Sequence, residues 1–275
     1  MSDEVLTYGV KNQNYNKDES GIHIEDLNRN GYTVLQNVFS KEVMQETALL
    51  LDGLLNNQII EMGGQANLVN VNDDDIIRCP LAYSPHFLSL ANNPRVLNIV
   101  RDVLGENFVL LMQNAIINRP EKKQYQVRWH RDLNYQHWTS SRPLSVHFLV
   151  CIDKFYKDGG CTWVLPGSHL HEEFPSNEFV LRNEVPLEAD AGSIVLMNSM
   201  TFHRSGVNVS ASHTRRAINH VIGSPFMGQQ IDIPRFLSVH GQDYSSDPFL
   251  YRYLGYQWNP APDAKEWRSR RTKKN

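Results

Sequence analysis

The hydrophobic period of this chain changes once, at Gly105, and that change sets the order of its architecture. Before it, apolar residues recur at helical spacing. Ser40 is a good N-cap with Glu42 in the first turn, and Val43, Thr47, Leu50, Leu51 and Leu54 follow as one stripe. A second helix is punctuated at both ends, by Asn93 as cap, Pro94 at the first helical position and Gly105 after the last turn. Its apolar stripe is Val96, Leu97, Val100, Val103 and Leu104. Beyond Gly105 short strands between turn residues are predicted at 108–111, 115–117, 145–152, 162–165, 193–197 and 216–222. A β-prone run, Gly31-Tyr32-Thr33-Val34-Leu35, precedes the first helix. Helices first and many short strands later predict a mainly β chain with α: a double-stranded β-helix (jelly-roll, cupin-like) core buttressed by N-terminal helices.

A chain of 275 residues, 41% of them hydrophobic, can bury the core of one large domain. We expect a polar arm over 1–22, a single domain over 23–264, and a basic, mobile tail over 265–275. That tail carries six Lys and Arg against one Glu. The formal net charge of -3 gives no reason to expect a nucleic acid or a membrane as partner. No apolar run is long enough to span a bilayer and the first residues lack a secretory pattern, so the expected location is cytoplasmic. Cys79, Cys151 and Cys161 are odd in number and lack metal-type spacing. Cys151, in an apolar run, reads as a small core residue. The oligomeric state stays open, a homo-oligomer included.

The chemistry is carried by His130-Arg131-Asp132, answered downstream by His203 and, twelve residues later, by Arg215. Residues i and i+2 of a strand point to one side, so His130 and Asp132 can converge on one ion while Arg131 points away. Two imidazoles and one carboxylate form the 2-His-1-carboxylate facial triad of non-haem Fe(II), which leaves open positions for a co-substrate and O2. A zinc site would more often be four-coordinate with His or Cys. A buried Arg after the distal His suits bidentate anchoring of a second carboxylate, on a keto acid, with a structural salt bridge as the alternative. Arg215 shares a strand face with Ala217 and Asn219, and Arg216 with Ile218 and His220, so only one of the two arginines can point inward.

Among eleven histidines a single His-x-Asp carries little weight; the order of motifs carries the argument. His169 and His171 sit in or beside the Pro166-Gly167-Ser168-His169 turn and are expected to be partly exposed. His213 and His220 flank the arginines and read as hydrogen-bonded structural residues. His147 faces the side of its strand shared with Ser145, either lining the pocket or filling the strand.

Taken in order, these runs resemble the phytanoyl-CoA dioxygenase family of Fe(II)/2-oxoglutarate oxygenases, from about Leu27 to Phe226. The resemblance rests on Asn30-Gly31-Tyr32-Thr33-Val34-Leu35, Trp129-His130-Arg131-Asp132, Asp158-Gly159-Gly160-Cys161-Thr162 leading into Leu165-Pro166-Gly167-Ser168-His169, Gly192-Ser193-Ile194-Val195-Leu196, His203-Arg204-Ser205-Gly206-Val207-Asn208 and Arg215-Arg216-Ala217. It implies that His130, Asp132 and His203 hold iron and that Arg215 anchors the distal carboxylate of 2-oxoglutarate, with Arg216 as the lesser candidate. The family usually spaces that Arg eleven residues from the distal His; one extra residue in the loop 209–214 accounts for twelve. Gln113 matches a position that lies near cofactor and substrate in some relatives. Asp132 stands where related halogenases lack the carboxylate, which implies C–H oxidation such as hydroxylation.

The expected reaction oxidises a small molecule with O2 and 2-oxoglutarate, releasing succinate and CO2. The segment Leu133-Asn134-Tyr135-Gln136-His137-Trp138 directly follows the metal pair, with Arg128, Arg131 and Arg204 near in sequence. Such a lining suits a polar, even anionic substrate: a sugar, an amino acid or a natural-product intermediate. The competing readings are a cupin-like metal oxygenase that uses no 2-oxoglutarate and a jelly-roll binding protein without chemistry.

Overall fold

The computed structural model describes residues 7–11, 18–120, 125–133 and 136–271. Its first half is helical where the caps demand it. Helix α1 (Glu19–Asn30) is capped by the Asp18 carboxylate, which accepts from Gly21 N, and ends on Gly31 at φ 82°. The expected polar arm is therefore shorter than 1–22; residues 1–6 and 12–17 lie outside the described residues. Strand β1 (Tyr32–Leu35) leads to α2 (Lys41–Glu61), where the Ser40 hydroxyl accepts from Val43 N. Thr47, Leu51 and Leu54 are buried as expected, whereas Leu50 points outward. After α3 (Gln65–Asn70), β2 (Ile76–Arg78) and α4 (Pro85–Ala91) comes α5 (Pro94–Leu104), capped by Asn93 and closed by Gly105 at φ 86°.

The strands follow. The two runs expected at 108–111 and 115–117 are one continuous strand, β3 (Val109–Asn118), with an irregularity between Leu110 and Met112. Then come β4 (Ser145–Cys151), β5 (Thr162–Val164), α6 (Asn177–Asn183), β6 (Val185–Leu187), β7 (Ile194–Asn198), β8 (His203–Ser205) and β9 (Arg215–Gly223). A C-terminal segment adds α7 (Ile233–Val239), α8 (Pro248–Tyr253) and α9 (Ala264–Ser269). Helix α9 occupies much of the expected basic tail, and 272–275 lie outside the described residues. No helix among the described residues is long and apolar enough to cross a membrane.

All strands pair antiparallel, in a six-stranded sheet ordered β1-β7-β4-β9-β3-β2 and a three-stranded sheet ordered β6-β5-β8. This is the double-sheet core buttressed by N-terminal helices. Every residue of β4 is buried, because both faces of the large sheet are covered. Val146, Phe148 and Val150 pack against the helical layer with Leu51, Phe87 and Val100. Leu149 and Cys151 point the other way, into the space between the sheets, with Phe155, Cys161, Val164 and Ala217. Alternation thus separates two cores through the thickness of one strand.

The junction between β1, β4 and β7 turns on Gly192, at φ 87°. Its carbonyl accepts from Val38 N and Phe39 N at 3.0 and 2.9 Å, and its own N–H donates to Cys151 O at 2.8 Å. A Cβ there would collide with the Phe39 carbonyl oxygen. Gly192→Ala is expected to lower the unfolding free energy by at least about 1–3 kcal/mol, from left-handed strain plus that clash. Equilibrium urea unfolding measures it, and an unchanged midpoint would show that the junction relaxes freely.

Candidate metal and co-substrate site

His130 and His203 are far apart in the chain and joined back to back. Each backbone N–H donates to the other's carbonyl, both at 3.0 Å, in an isolated antiparallel bridge. His203 opens β8, whereas His130 and Asp132 lie outside any regular strand. The pairing of His130 with His203, not a strand of their own as the i, i+2 rule assumed, holds His130 and Asp132 in place. Each ring is oriented by a carbonyl: His130 Nδ1 donates to Arg128 O at 2.8 Å and His203 Nδ1 to Thr201 O at 3.0 Å. A carbonyl only accepts, so the proton sits on Nδ1 and both Nε2 atoms face Asp132. Asp132 Oδ1 lies 4.0 Å from His130 Nε2 and 3.5 Å from His203 Nε2. The three donor atoms all lie within 4.8 Å of one another, a set that could hold one metal ion.

The electrostatics of the cluster suit a cation. Burial alone would raise the Asp132 pKa, but His147, His203 and His130 outweigh it and hold the carboxylate below its ordinary range. Burial, then the neighbouring His203, lowers the His130 pKa. Burial would lower His203 too, yet its contact with Asp132 prevails and raises it. A negative group buried among imidazoles is stable only with positive charge beside it.

Two further residues, which sequence reasoning left open or missed, meet the second oxygen of Asp132. Asn219 Nδ2 donates to Oδ2 at 3.3 Å, and His147 Nδ1 lies 3.2 Å from it. Both sit on the inner face of the large sheet, where register places Leu149 opposite Asn219 and His147 opposite Val221. The parity of β4 and β9 was readable in the sequence; which parity faces Asp132 was not.

The adjacent arginines separate cleanly. Arg216, on the helix side, pairs with Asp52 of α2 at 2.8 Å and with Asp153 at 3.0 Å. Arg215 is buried on the inner side, donating from Nε to Gly160 O at 3.0 Å and from Nη2 to Ser205 Oγ at 2.6 Å. Its guanidinium stands 5.0 Å from the Phe155 ring centre. Among the described residues no carboxylate pairs with it. Burial lowers its pKa to about 10, with Asp153 raising it from a distance, so at neutral pH it remains a buried cation with no ion-paired carboxylate among the described residues. Asn118 builds the wall beside it, donating from Nδ2 to Gly206 O at 2.9 Å, to Ser205 Oγ at 3.1 Å and to Gly160 O at 3.2 Å. Nothing in the sequence marked Asn118 beyond its place at a strand end.

Gln113 is not in this site. On β3 it has the parity of the helix side, where Oε1 accepts from Leu81 N at 2.7 Å and Nε2 donates to Phe87 O at 2.8 Å. Its neighbour there is His220 Nε2 at 2.9 Å. The expectation that it binds cofactor is corrected: it ties the sheet to the helical layer. His220 and His213 are hydrogen-bonded structural residues, and His169 is more buried than expected.

Two of the three arginines expected near the pocket, Arg131 and Arg204, are committed elsewhere. Arg131 is buried and donates to the carbonyls of Met200, Glu172, Ser168 and His171. Arg204 pairs with Glu184 at 2.8 Å and stacks on Trp129 and Trp163. Arg128, the third, lies over the Tyr125 ring. Of the segment following Asp132, Asn134 and Tyr135 lie outside the described residues, Trp138 is exposed and Gln136 is buried.

The family model for phytanoyl-CoA dioxygenase (PhyH) matches residues 27–217, which spans the triad and both arginines. The chain belongs to the phytanoyl-CoA dioxygenase family. It is a non-haem oxygenase dependent on Fe(II) and 2-oxoglutarate. An uncharacterised Mycobacterium tuberculosis protein, Rv1501, is 33% identical over 77% of this chain and 78% of its own length. The dioxygenase af480 of Aspergillus fumigatus is 24% identical over 79% of this chain and 70% of its own. Two solved structures share the fold. EctD from S. alaskensis, with 2-oxoglutarate and 5-hydroxyectoine, superposes with a TM-score of 0.61 at 20% identity, covering 77% of this chain and 79% of that one. The epimerase SnoN, with Fe3+, alpha ketoglutarate and nogalamycin RO, gives 0.59 at 16% identity, covering 79% and 88%.

Gln113→Leu separates the two sides of the sheet. It is expected to destabilise the fold by about 1–3 kcal/mol, since it strands the Leu81 N–H and the Phe87 carbonyl, while leaving Fe(II) affinity unchanged in anaerobic titration. Weakened iron binding at unchanged stability would return Gln113 to the site.

Proposed function

We propose that His130, Asp132 and His203 hold the iron, that Arg215 receives the distal carboxylate of 2-oxoglutarate, and that the enzyme oxidises a C–H bond of a polar small molecule. The observation that carries this reading is the buried guanidinium of Arg215, which has two neutral hydrogen-bond partners and, among the described residues, no carboxylate paired with it. A dicarboxylate is the counter-ion such a group lacks. The donor set supports the iron assignment: two neutral-capable imidazoles and one carboxylate converge, with no thiolate among them.

Bound iron, with 2-oxoglutarate and O2, supplies the oxidising power, and the co-substrate leaves as succinate and CO2. The protein's own residues orient and shield. Carbonyls of Arg128 and Thr201 hold the two imidazole rings by their Nδ1–H groups. Gly160 O and Ser205 Oγ hold the guanidinium plane, and Phe155 covers one face of it. Asp132 keeps the carboxylate that related halogenases lack, which supports hydroxylation or another C–H oxidation. For the substrate, Gln136 offers support: its buried Oε1 has no partner among the described residues, so a donor on a polar ligand would satisfy it. Two structures of this fold were solved with small molecules, 5-hydroxyectoine in one and nogalamycin RO in the other.

Anaerobic addition of Fe(II) and 2-oxoglutarate to the apo protein is expected to give a visible metal-to-ligand charge-transfer band. Arg215→Ala should weaken 2-oxoglutarate binding roughly 30-fold or more, as expected when one partner of a buried charge pair is removed. Asp132→Ala should lose the band by losing iron. Wild-type 2-oxoglutarate affinity in Arg215→Ala would overturn the anchor, and a band retained in Asp132→Ala would overturn the ligand set.

A further inference from the structure

Three imidazoles, not two, surround Asp132. His147 is 1% exposed, on the inner face of β4, between Met197 of β7 and Val221 of β9. Its ring centre lies 4.8 Å from that of His203, and its Nδ1 lies 3.2 Å from Asp132 Oδ2. That approach is within hydrogen-bond distance but poorly aligned, so both ring nitrogens are buried without a full partner among the described residues. An unpaired buried polar group is costly enough to need an explanation, and the nearest acceptor in view is the carboxylate.

Asp132 divides its two oxygens. Oδ1 faces the Nε2 atoms of His130 and His203, while Oδ2 faces His147 and accepts from Asn219. The division matters because of the number of positions round an octahedral iron. Two imidazoles and one carboxylate oxygen leave three, enough for a chelating keto acid and O2. A carboxylate that turned to bind through both oxygens would take one of those three.

We infer that His147 is a positioning residue for Asp132: its Nδ1–H, with Asn219 Nδ2, holds Oδ2 so that only Oδ1 is offered to the metal. The inference rests on the proposed triad, and it adds a role for a residue outside it. A neutral imidazole has one N–H to give. Across from Nδ1 stands a carboxylate oxygen, which can only accept. Packing alone would be served by any side chain of that bulk, and would not place a ring nitrogen within 3.2 Å of the second oxygen.

The test compares His147→Leu, which keeps bulk and removes the donor, with His147→Asn, whose amide N–H can stand near Nδ1. Fe(II) affinity of the apo proteins is read by anaerobic titration. The coordination position is read from the S = 3/2 electron paramagnetic resonance signal when nitric oxide is added to the Fe(II)–2-oxoglutarate complex. His147→Leu is expected to bind Fe(II) roughly 10–100-fold more weakly and His147→Asn to recover most of that loss. The nitric oxide signal should fall in the Leu variant and return in the Asn variant. Wild-type iron affinity and an undiminished signal in His147→Leu would overturn the inference. Equal impairment of both variants, with matching losses of thermal stability, would overturn it in favour of packing. If the wild-type protein bound no Fe(II), the triad assignment would fall, and this inference with it.

Discussion

The reciprocal backbone bridge between His130 and His203 is the contact on which the site depends. The segment carrying His130 and Asp132 belongs to no regular strand, so ladder hydrogen bonds do not position it. Two N–H···O bonds to His203 do, and Arg131 reinforces them from the other side by donating to carbonyls of 168–172 and to Met200 O. A buried guanidinium satisfied by carbonyls fixes a loop more firmly than side-chain packing could, because releasing it would leave several polar groups unpaired. His130 and Asp132 are thereby held on an irregular backbone.

Strand β9 shows how one alternation serves two purposes. Arg215, Ala217 and Asn219 look into the space between the sheets, and Arg216, Ile218 and His220 look towards the helices. The outward arginine is paired twice, with Asp52 and Asp153, and ties β9 to α2. Among the described residues the inward arginine has only neutral hydrogen-bond partners. A cation desolvated to this degree without a counter-ion is unfavourable in the protein alone, and becomes favourable when an anion arrives. On this reading the co-substrate completes a charge balance that the fold leaves open.

The same logic sorts the remaining polar residues of the interior. Gln113 and His220 face each other and satisfy helix-layer backbone groups, so they stabilise the buttress. Asn118 spends its amide on three acceptors around Arg215, and Asn219 spends its amide on Asp132. His147 alone among the residues facing Asp132 has both ring nitrogens buried without a full partner.

The sequence by itself determined what depends on near neighbours. Ser40, Asn93, Pro94 and Gly105 mark helix ends because capping is decided within a few residues. Alternation in β4 and β9 sorted side chains into two sets, and the order of motifs pointed to iron and 2-oxoglutarate. Tertiary structure decided which set faced inward, since that depends on strand register and on which side the helices cover. For that reason Arg215 could be separated from Arg216, and Gln113 removed from the site, only once the sheets were in place. The position of His147 beside Asp132 also needed the fold, because a loop and a strand meet there through contacts that no local pattern encodes.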